Sequence, residues 1–354
     1  MISRPVRFCS TLIGALVFAA CQGGGSPTAT LTPPDPQPLA AARQVRVNPQ
    51  DSRQQLLYVT SAVPYFFSAY ALPLHDGDAA IVTKTGVNEP VPIVDDGRNL
   101  YIGSFDDGTI STFPLPLDSS RGFPQAGALS RKNYVVPRSG PHPVGLPGLP
   151  GANGGGVPSG LGDLSGLAVF HGRLYVSGSG SMGEEVFEYK LPLVAGEQPS
   201  GSLAFAPLDF LAIAARAGTL YVASTSLGTV GAYRLPLGND QAPQYTIETV
   251  PQQGDGAVGV AVDRNSRNLY VSLFSLGNVE DFALPYHPGG SVRTIDVKSD
   301  SGGGLPYGVA VKEKHLFVTA GFAVLAYQLP LTSHSTPDAT VPFNGDASGV
   351  TAGL

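Results

Sequence analysis

Three acidic residues occupy one equivalent position in a sequence that repeats itself. Glu89, Asp163 and Asp346 each stand two residues before the same point of an apolar run that opens a repeat. In two further repeats, Asp209 and Asp255 lie one step to either side of that register. Carboxylates that converge at one mouth could hold Ca²⁺ or another divalent metal, because these hard ions take several oxygen ligands. The simpler interpretation is structural, since an Asp just before a strand accepts hydrogen bonds from free backbone N–H groups.

No other motif indicates a catalytic or cofactor-binding site. The run "GSGSMG" from Gly178 matches GxGxxG, but it falls between two predicted strands, with no helix to receive a pyrophosphate. GxSxG, HExxH and CxxC do not occur, and the six histidines are scattered singly. With a net charge of −6 and no cluster of Lys and Arg, the chain is not expected to bind nucleic acid. Catalytic residues stay unassigned, and a divalent metal at the acidic residues is the one cofactor left open.

Residues 1–20 are typical of an export signal. Arg4 and Arg7 form a basic start, and the apolar run Leu12–Ala20 is too short to span a bilayer. The run ends in small residues before Cys21, and "VFAAC" resembles a bacterial lipobox, in which the Cys is lipidated and becomes the first mature residue. Plain secretory cleavage without lipidation is the alternative.

The segment after the signal predicts how the folded part is attached. Residues 21–45 are rich in Gly, Pro and Thr and are expected to form an unstructured tether. Gln22, rather than Asp, follows the Cys, which by resemblance to bacterial lipoproteins implies the outer membrane. We therefore expect an exported lipoprotein, anchored to a membrane and facing the periplasm or the cell surface. Without the signal, Cys21 is the sole cysteine, so the folded part has neither a disulfide nor a thiol metal ligand.

A pattern with a period of about 46 residues recurs six times after the tether. Each copy has one aromatic residue in a run like "LYV" and a second aromatic two residues before a Leu-Pro pair. The first aromatics are Tyr58, Tyr101, Tyr175, Tyr221, Tyr270 and Phe317. The second aromatics are Tyr70, Phe113, Tyr189, Tyr233, Phe282 and Tyr327. A nearly constant gap, with turns such as "LGTV" and "LGNV", indicates two strands joined as a hairpin.

Two further strands complete each repeat. Apolar runs such as "SGLAV" from Ser165, "VGVAV" from Val258 and "YGVAV" from Tyr307 precede the hairpins and are typical of buried strands. A looser extended piece follows the Leu-Pro pair, whose proline suits the end of a strand. Four strands at this period predict an all-β fold, a β-propeller with six four-stranded blades over residues 46–354.

The C-terminal residues predict how the ring closes. "DASGVTAGL" copies the first strand of a repeat but has no hairpin after it, whereas the first hairpin has only a weak strand before it. Residues 348–354 are therefore expected to supply the innermost strand of the blade whose other strands come from residues 56–85. Such closure removes the open edge of a linear array. An open β-solenoid, the main rival, gives no reason for a half-repeat.

An insertion interrupts the repeat between Tyr101 and Tyr175. It covers residues 135–162, and its Gly- and Pro-rich composition predicts an extended loop. In a propeller, the connections between blades lie on the same face as the turns of the "LYV" hairpins. The insertion and the acidic residues are therefore expected on one face, where propellers usually bind ligands.

The run "GVAVDRNSRNLYVSLFSLGNVEDFALP", Gly259–Pro285, resembles repeats of the NHL family and of related lactonase-like propellers. The resemblance covers nearly the whole chain after residue 45 and implies the propeller fold. In the gluconolactonase branch, acidic and Asn side chains hold a divalent metal that activates water for lactone opening. The nearby candidates here, Asn153 and Asn344, match no motif. NHL-like propellers more often act as binding platforms, and a fold by itself implies no chemistry.

Two functions remain open at this point. The favoured one is a monomeric, lipid-anchored propeller that binds a protein or a small ligand through its loop-rich face. The alternative is a metal-dependent, lactonase-like hydrolase that uses the acidic mouth. Loss of function after replacing Glu89, Asp163 and Asp346 by Ala would indicate the enzyme, whereas loss after deleting residues 137–160 would indicate the platform.

Overall fold

The computed structural model describes residues 55–353, with gaps at 86, 106–107, 116, 118–132, 136–161, 180–182, 194–198, 206–209, 240, 250–255, 266 and 291. Within this part, 24 strands form six four-stranded antiparallel sheets. The innermost strands of successive sheets contact one another in cyclic order, so the sheets are the blades of a propeller around a central channel. The predicted fold class is confirmed. Among the described residues, no helix has the length and apolar character needed to cross a membrane.

The strands follow the chain in order, apart from the one that closes the ring. Blade 1 contains β1 (Leu56–Ser61), β2 (Phe66–Ala71) and β3 (Val82–Thr85). Blade 2 contains β4 (Pro90–Asp95), β5 (Asn99–Ser104), β6 (Thr109–Pro114) and β7 (Asn133–Val135). Blade 3 contains β8 (Gly162–Phe170), β9 (Arg173–Ser179), β10 (Glu184–Lys190) and β11 (Gly201–Ala204).

The second half of the ring repeats this arrangement. Blade 4 contains β12 (Leu211–Arg216), β13 (Thr219–Ser224), β14 (Thr229–Arg234) and β15 (Tyr245–Glu248). Blade 5 contains β16 (Ala257–Val262), β17 (Asn268–Leu273), β18 (Asn278–Ala283) and β19 (Val292–Asp296), followed by the short helix α1 (Val297–Asp300). Blade 6 contains β20 (Pro306–Lys312), β21 (His315–Ala320), β22 (Ala323–Gln328) and β23 (Ala339–Pro342), and the last strand is β24 (Ala347–Ala352).

The last strand closes the ring as the sequence predicts. β24 pairs antiparallel with β1, with Leu57 opposite Ala352 and Val59 opposite Val350, and it is the innermost strand of blade 1. The inner edge of β1 is therefore covered, and no inner strand of a described blade is left without its partner.

The antiparallel order gives the ring two different faces. The turns between the second and third strands of each blade, and the connections from one blade to the next, lie on one side, which we call the loop-rich face. The turns between the first and second strands lie on the opposite face. The Leu-Pro pairs also lie there, because those described, such as Leu191-Pro192 and Leu329-Pro330, directly follow the third strand of a blade. The prediction that these prolines end strands is confirmed.

The "LYV" motif packs each blade against both of its neighbours. In blade 5, Leu269 and Val271 are fully buried among blade 4 residues such as Ala223. Tyr270 lies between them in sequence and packs on the other side, among blade 6 residues such as Val318. Successive side chains of a strand point to opposite faces, so one short apolar run contributes to two interfaces between blades.

Glycine permits the innermost strands to approach one another. A Cβ atom on Gly259 would overlap the carbonyl oxygen of Tyr307 in the next blade, and one on Gly349 would overlap the carbonyl oxygen of Val91. Both glycines lie beside a β-bulge, where the pairing of the inner strand with its neighbour shifts by one residue. The glycine of runs such as "VGVAV" is thus required by contact between backbones.

Hydroxyl groups link the blades at the same level. Thr60 Oγ1 in blade 1 donates to the carbonyl oxygen of Val91 in blade 2, at 2.9 Å. Ser272 Oγ in blade 5 donates to the carbonyl oxygen of Tyr307 in blade 6, at 2.6 Å. Ser177 Oγ joins blade 3 to blade 4 in the same way. The Ser or Thr that often follows "LYV" therefore satisfies a backbone acceptor that the bulge leaves free.

Candidate functional site

The central channel is narrow at the loop-rich face and wide at the opposite face. At the narrow end, a cavity of about 80 Å³ lies among Ser165, Phe210, Tyr307 and Ser348. The wide end opens into a cavity of about 1490 Å³. The two ends therefore present different chemistry and are described separately.

An aromatic cluster closes the narrow end; we call it the aromatic plug. Phe105 of blade 2 contacts Phe210 of blade 4, with ring centroids 6.3 Å apart. Phe210 in turn meets Tyr307 of blade 6 edge to face at 5.8 Å, and Phe274 of blade 5 meets Tyr307 in the same manner at 5.9 Å. Because contributions from blades 2, 4 and 6 touch, the cluster spans the channel rather than lining one side of it.

Glu89 and Asp346 lie beside the plug, near Tyr307. Both come immediately before the innermost strand of their blade. The carbonyl oxygen of Glu89 accepts from Phe105 N at 3.0 Å, and that of Asp346 accepts from Ala62 N at 3.1 Å. The backbone at this position therefore ties the hairpin turn of the same blade to the start of its inner strand.

The two carboxylates lie close enough to Tyr307 to influence the pKa of its hydroxyl group. Burial, followed by the negative charges of Asp346 and Glu89, raises the pKa of Tyr307 above its ordinary value. The pKa of Asp346 is also raised, because the surrounding protein partly desolvates its carboxyl group. At neutral pH the tyrosine is therefore a protonated hydrogen-bond donor and has no tendency to act as a nucleophile.

Of the other predicted acidic residues, Asp163 is the one that lies within the described part of the chain. Asp163 is exposed, and its Oδ2 accepts from Ser179 Oγ at 3.4 Å, within its own blade. Ser179 also donates to Glu184 Oε1 at 2.9 Å. Asp255 and Asp209 lie outside the described residues. No three His, Cys, Asp or Glu side chains among the described residues are arranged to hold a metal ion, and the predicted Ca²⁺ site stays a prediction.

Exposed apolar side chains are concentrated on the loop-rich face, which the motif search did not reveal. Six large hydrophobic residues of the described part are exposed. Five lie in turns between the second and third strands and are called here the apolar turn residues: Val63 (64%), Tyr65 (45%), Leu227 (64%), Phe274 (37%) and Phe322 (72%). The sixth, Val292, lies in an outer strand. Runs such as "TSLG" and "FSLG" could have signalled this, because tight turns normally favour Asn, Asp or Ser.

The wide end of the channel is framed by charged residues. The turns between first and second strands bring Asp95, Asp96, Arg98, His171 and Arg264 to its wall. Hydrogen bonds to Asp96 from the backbone N–H groups of Arg98 and Asn99 and from the Tyr101 hydroxyl outweigh desolvation and lower the pKa of Asp96. That carboxylate is therefore ionised and engaged within its own turn.

Comparison with known proteins supports the fold and nothing finer. No protein-family model and no curated protein matches the sequence. A protein of unknown function from Bacteroides caccae superposes with a TM-score of 0.55 at 9% identity, over 84% of this chain and 98% of that one. A candidate 6-phosphogluconolactonase of Bacteroides uniformis gives 0.53 at 13% identity, over 86% of each chain.

A nidogen/laminin complex gives a TM-score of 0.52 at 15% identity, over 85% of this chain and 98% of the matched one. These identities establish a shared propeller architecture only. The fold implied by the resemblance to NHL-type repeats is confirmed, and membership of that family stays a prediction.

Proposed function

We propose that this chain is an exported, lipid-anchored propeller that binds another protein through its loop-rich face. The observation that carries the proposal is the concentration of five of the six exposed large hydrophobic residues in the turns of that face. Exposed apolar side chains scattered over a surface need no explanation, but side chains gathered on one face are typical of an interaction surface.

Charge on the same face suggests the character of the partner. Glu89, Asp163 and Asp346 lie at the start of inner strands there, and Asp300 and the cation Lys298 lie in α1. An acidic surface with apolar anchors complements a partner that presents apolar side chains flanked by Lys or Arg. Such charges mainly raise the association rate and select against acidic partners.

The binding proposal is tested by removing the apolar anchors without touching the core. We expect Leu227→Ser combined with Phe322→Ser to abolish retention of a protein that the wild-type chain captures from an envelope extract of the source cells. The matched control is Val292→Ser, which removes an exposed hydrophobic residue from an outer strand. Equal capture by all three proteins would overturn the proposal, provided that circular dichroism shows each to be folded.

The lipid anchor is tested separately. If Cys21 is lipid-modified, the full chain should partition into a detergent phase. The Cys21→Ser variant should then move to the aqueous phase. The mass of the N-terminal peptide gives an independent measurement. Wild-type protein in the aqueous phase, with an unmodified N-terminus, would contradict lipidation and leave secretion without an anchor.

A lactonase-like hydrolase is the second candidate, supported by the position of Glu89 and Asp346 at the start of two neighbouring inner strands, beside Tyr307 at the narrow end of the channel. A resident metal must raise the melting temperature of the chelator-treated protein when Ca²⁺, Mg²⁺ or Zn²⁺ is restored, because only the native state binds it. A shift that Asp346→Asn abolishes would support the enzyme. The same melting temperature with and without each metal would exclude this route.

A further inference from the structure

The wide end of the channel forms a funnel that narrows towards the aromatic plug. It opens at the face opposite to the loop-rich face, and its volume of about 1490 Å³ exceeds that of most small-molecule sites. At its inner end the funnel narrows to the aromatic plug, so the wide mouth is the larger of its two ends.

Deeper in the funnel than Asp95, the described residues of the wall include no charged side chain. Equivalent residues of the six inner strands form one apolar ring: Ile93, Leu167, Ile213, Val260, Val309 and Val350. Two residues further along the strand, towards the mouth, five blades again contribute an apolar residue: Val169, Ala215, Val262, Val311 and Ala352. Each inner strand is paired on one side only, so its other edge also presents backbone N–H and C=O groups to the channel. The wall therefore suits a partly apolar molecule better than a plain hydrocarbon.

Three arginines from different blades line the mouth. Arg98 belongs to blade 2, Arg216 to blade 4 and Arg264 to blade 5. Arg216 Nη2 donates to the carbonyl oxygen of Arg264 at 2.5 Å, which fixes this guanidinium group across the junction of the two blades. His171 of blade 3 also lines the mouth, and its ring stacks on that of Phe170 with centroids 4.0 Å apart.

The carboxylates beside the arginines accept hydrogen bonds from other groups. Asp95 accepts from Gly97 N at 3.1 Å and from Thr351 Oγ1 at 3.5 Å. Asp96 is occupied by its own turn, as described above. No ion pair between described residues involves Arg98, Arg216 or Arg264. Three guanidinium groups without an ion-pair partner among the described residues, gathered at the mouth of a protein with a net charge of −6, point to an anionic ligand.

The length of the funnel limits the size of that anion. From Asp95 at the mouth to Val91 beside the narrow end, β4 runs four residues, about 13 Å at roughly 3.3 Å per residue. A bicyclic aromatic group fits within this depth, whereas a long alkyl chain exceeds it.

We propose that the funnel binds a short amphipathic anion, whose carboxylate or phosphate group stays at Arg98, Arg216 and Arg264 while its aromatic or short apolar body enters the channel. This site is separate from the proposed protein-binding face, since the aromatic plug lies between them. The three arginines provide the charged hydrogen bonds, and the two apolar rings provide the burial.

Isothermal titration of the folded protein with 2-naphthoate, 2-naphthyl phosphate, neutral 2-naphthamide and inorganic phosphate tests the proposal. We expect saturable binding of both naphthalene anions and at least tenfold weaker binding of the neutral amide and of inorganic phosphate, because charged hydrogen bonds and apolar burial are both needed. Comparison of the carboxylate with the phosphate shows which head group the mouth prefers.

Matched variants locate the site. Arg216→Met and Arg264→Met should each weaken binding tenfold or more, whereas Arg267→Met, which removes an exposed arginine outside the funnel on the same face, should have no effect. The Leu227→Ser/Phe322→Ser protein should bind both anions as the wild type does. Absence of saturation at millimolar concentration, or affinities that Arg216→Met and Arg264→Met leave unchanged, would overturn the proposal. Melting temperatures measured without ligand confirm that each variant is folded.

Discussion

The rings of Phe210 and Tyr307, from blades 4 and 6, meet edge to face with centroids 5.8 Å apart. Since Phe210 also contacts Phe105 of blade 2, one side chain connects three alternate blades across the axis. The channel therefore narrows at this cluster, which lies between the funnel and the loop-rich face.

Phe210→Ala removes both of these aromatic contacts. Each aromatic pair contributes about 0.5–1.5 kcal/mol beyond area burial, so we expect a loss of about 1–3 kcal/mol in the free energy of unfolding. Urea denaturation measures it. Phe322→Ala is the matched control, because Phe322 is 72% exposed, and it should change stability by less than about 0.5 kcal/mol. Equal losses in the two variants would show that Phe210 is not part of a packed plug.

Thr60→Val tests the hydroxyl links between blades at nearly constant side-chain volume. Thr60 Oγ1 donates to Val91 O and accepts from Gly349 N, both at 2.9 Å in a buried position. Valine leaves both backbone groups without this partner, so the free energy of unfolding should fall by about 2–4 kcal/mol. Thr246→Val, on an exposed position of β15, should be nearly neutral. If Thr60→Val is equally neutral in urea titrations, the hydroxyl link has no net effect on stability.

Gly259→Ala tests the close approach of two inner strands. The added methyl group would overlap the carbonyl oxygen of Tyr307, a backbone atom that cannot move without shifting blade 6. We expect a destabilisation of at least about 2 kcal/mol or loss of soluble protein. Gly238→Ala is the control, since the nearest atom to its added Cβ is the end of Gln241, at 3.5 Å. A melting temperature unchanged by Gly259→Ala would contradict the close-approach explanation.

The Leu-Tyr-Val, Leu-Pro and Gly-containing runs predicted the fold because each marks one strand or turn of a blade. The contacts that require these runs form within a blade or between adjacent blades, and the distances between the contacting residues follow from strand geometry. The C-terminal half-repeat likewise predicted β24, since an unpaired inner strand has one natural partner in a ring.

The plug and the funnel were not predictable in this way. Phe105 lies in a hairpin turn, Phe210 precedes an inner strand and Tyr307 lies at a β-bulge, so no alignment of repeats places them together. Their contacts depend on the radius of the ring, which repeat spacing does not specify. The acidic positions were visible in the sequence, but whether they converge depends on side-chain direction, and Asp163 is directed towards its own hairpin.

Asp96→Asn should change the pH dependence of stability. Desolvation opposes ionisation of Asp96, but hydrogen bonds from Arg98 N, Asn99 N and Tyr101 Oη outweigh it, so the folded pKa is lowered. A lowered folded pKa means that the ionised group stabilises the fold above the unfolded pKa, and that this contribution is lost as pH falls through the folded pKa.

The variant should therefore be less stable than the wild type at pH 7, by about 1 kcal/mol for this partly exposed group. The difference should shrink as the solution is acidified through the carboxylate range. Urea titrations at several pH values measure it, with Glu248→Gln on an exposed strand position as the control. A pH-independent difference would assign the effect of Asp96→Asn to geometry rather than charge.

The pairing of β24 with β1 also determines when a growing chain can finish folding. Leu57 lies opposite Ala352, so the first blade lacks its innermost strand until the far end of the sequence is available. Contacts between such distant segments slow folding, because the loop entropy is lost before the contact forms. Until then, the edge of β1 is an unprotected template for strands of other molecules. A chain of this design would therefore benefit from protection against aggregation until its synthesis is complete.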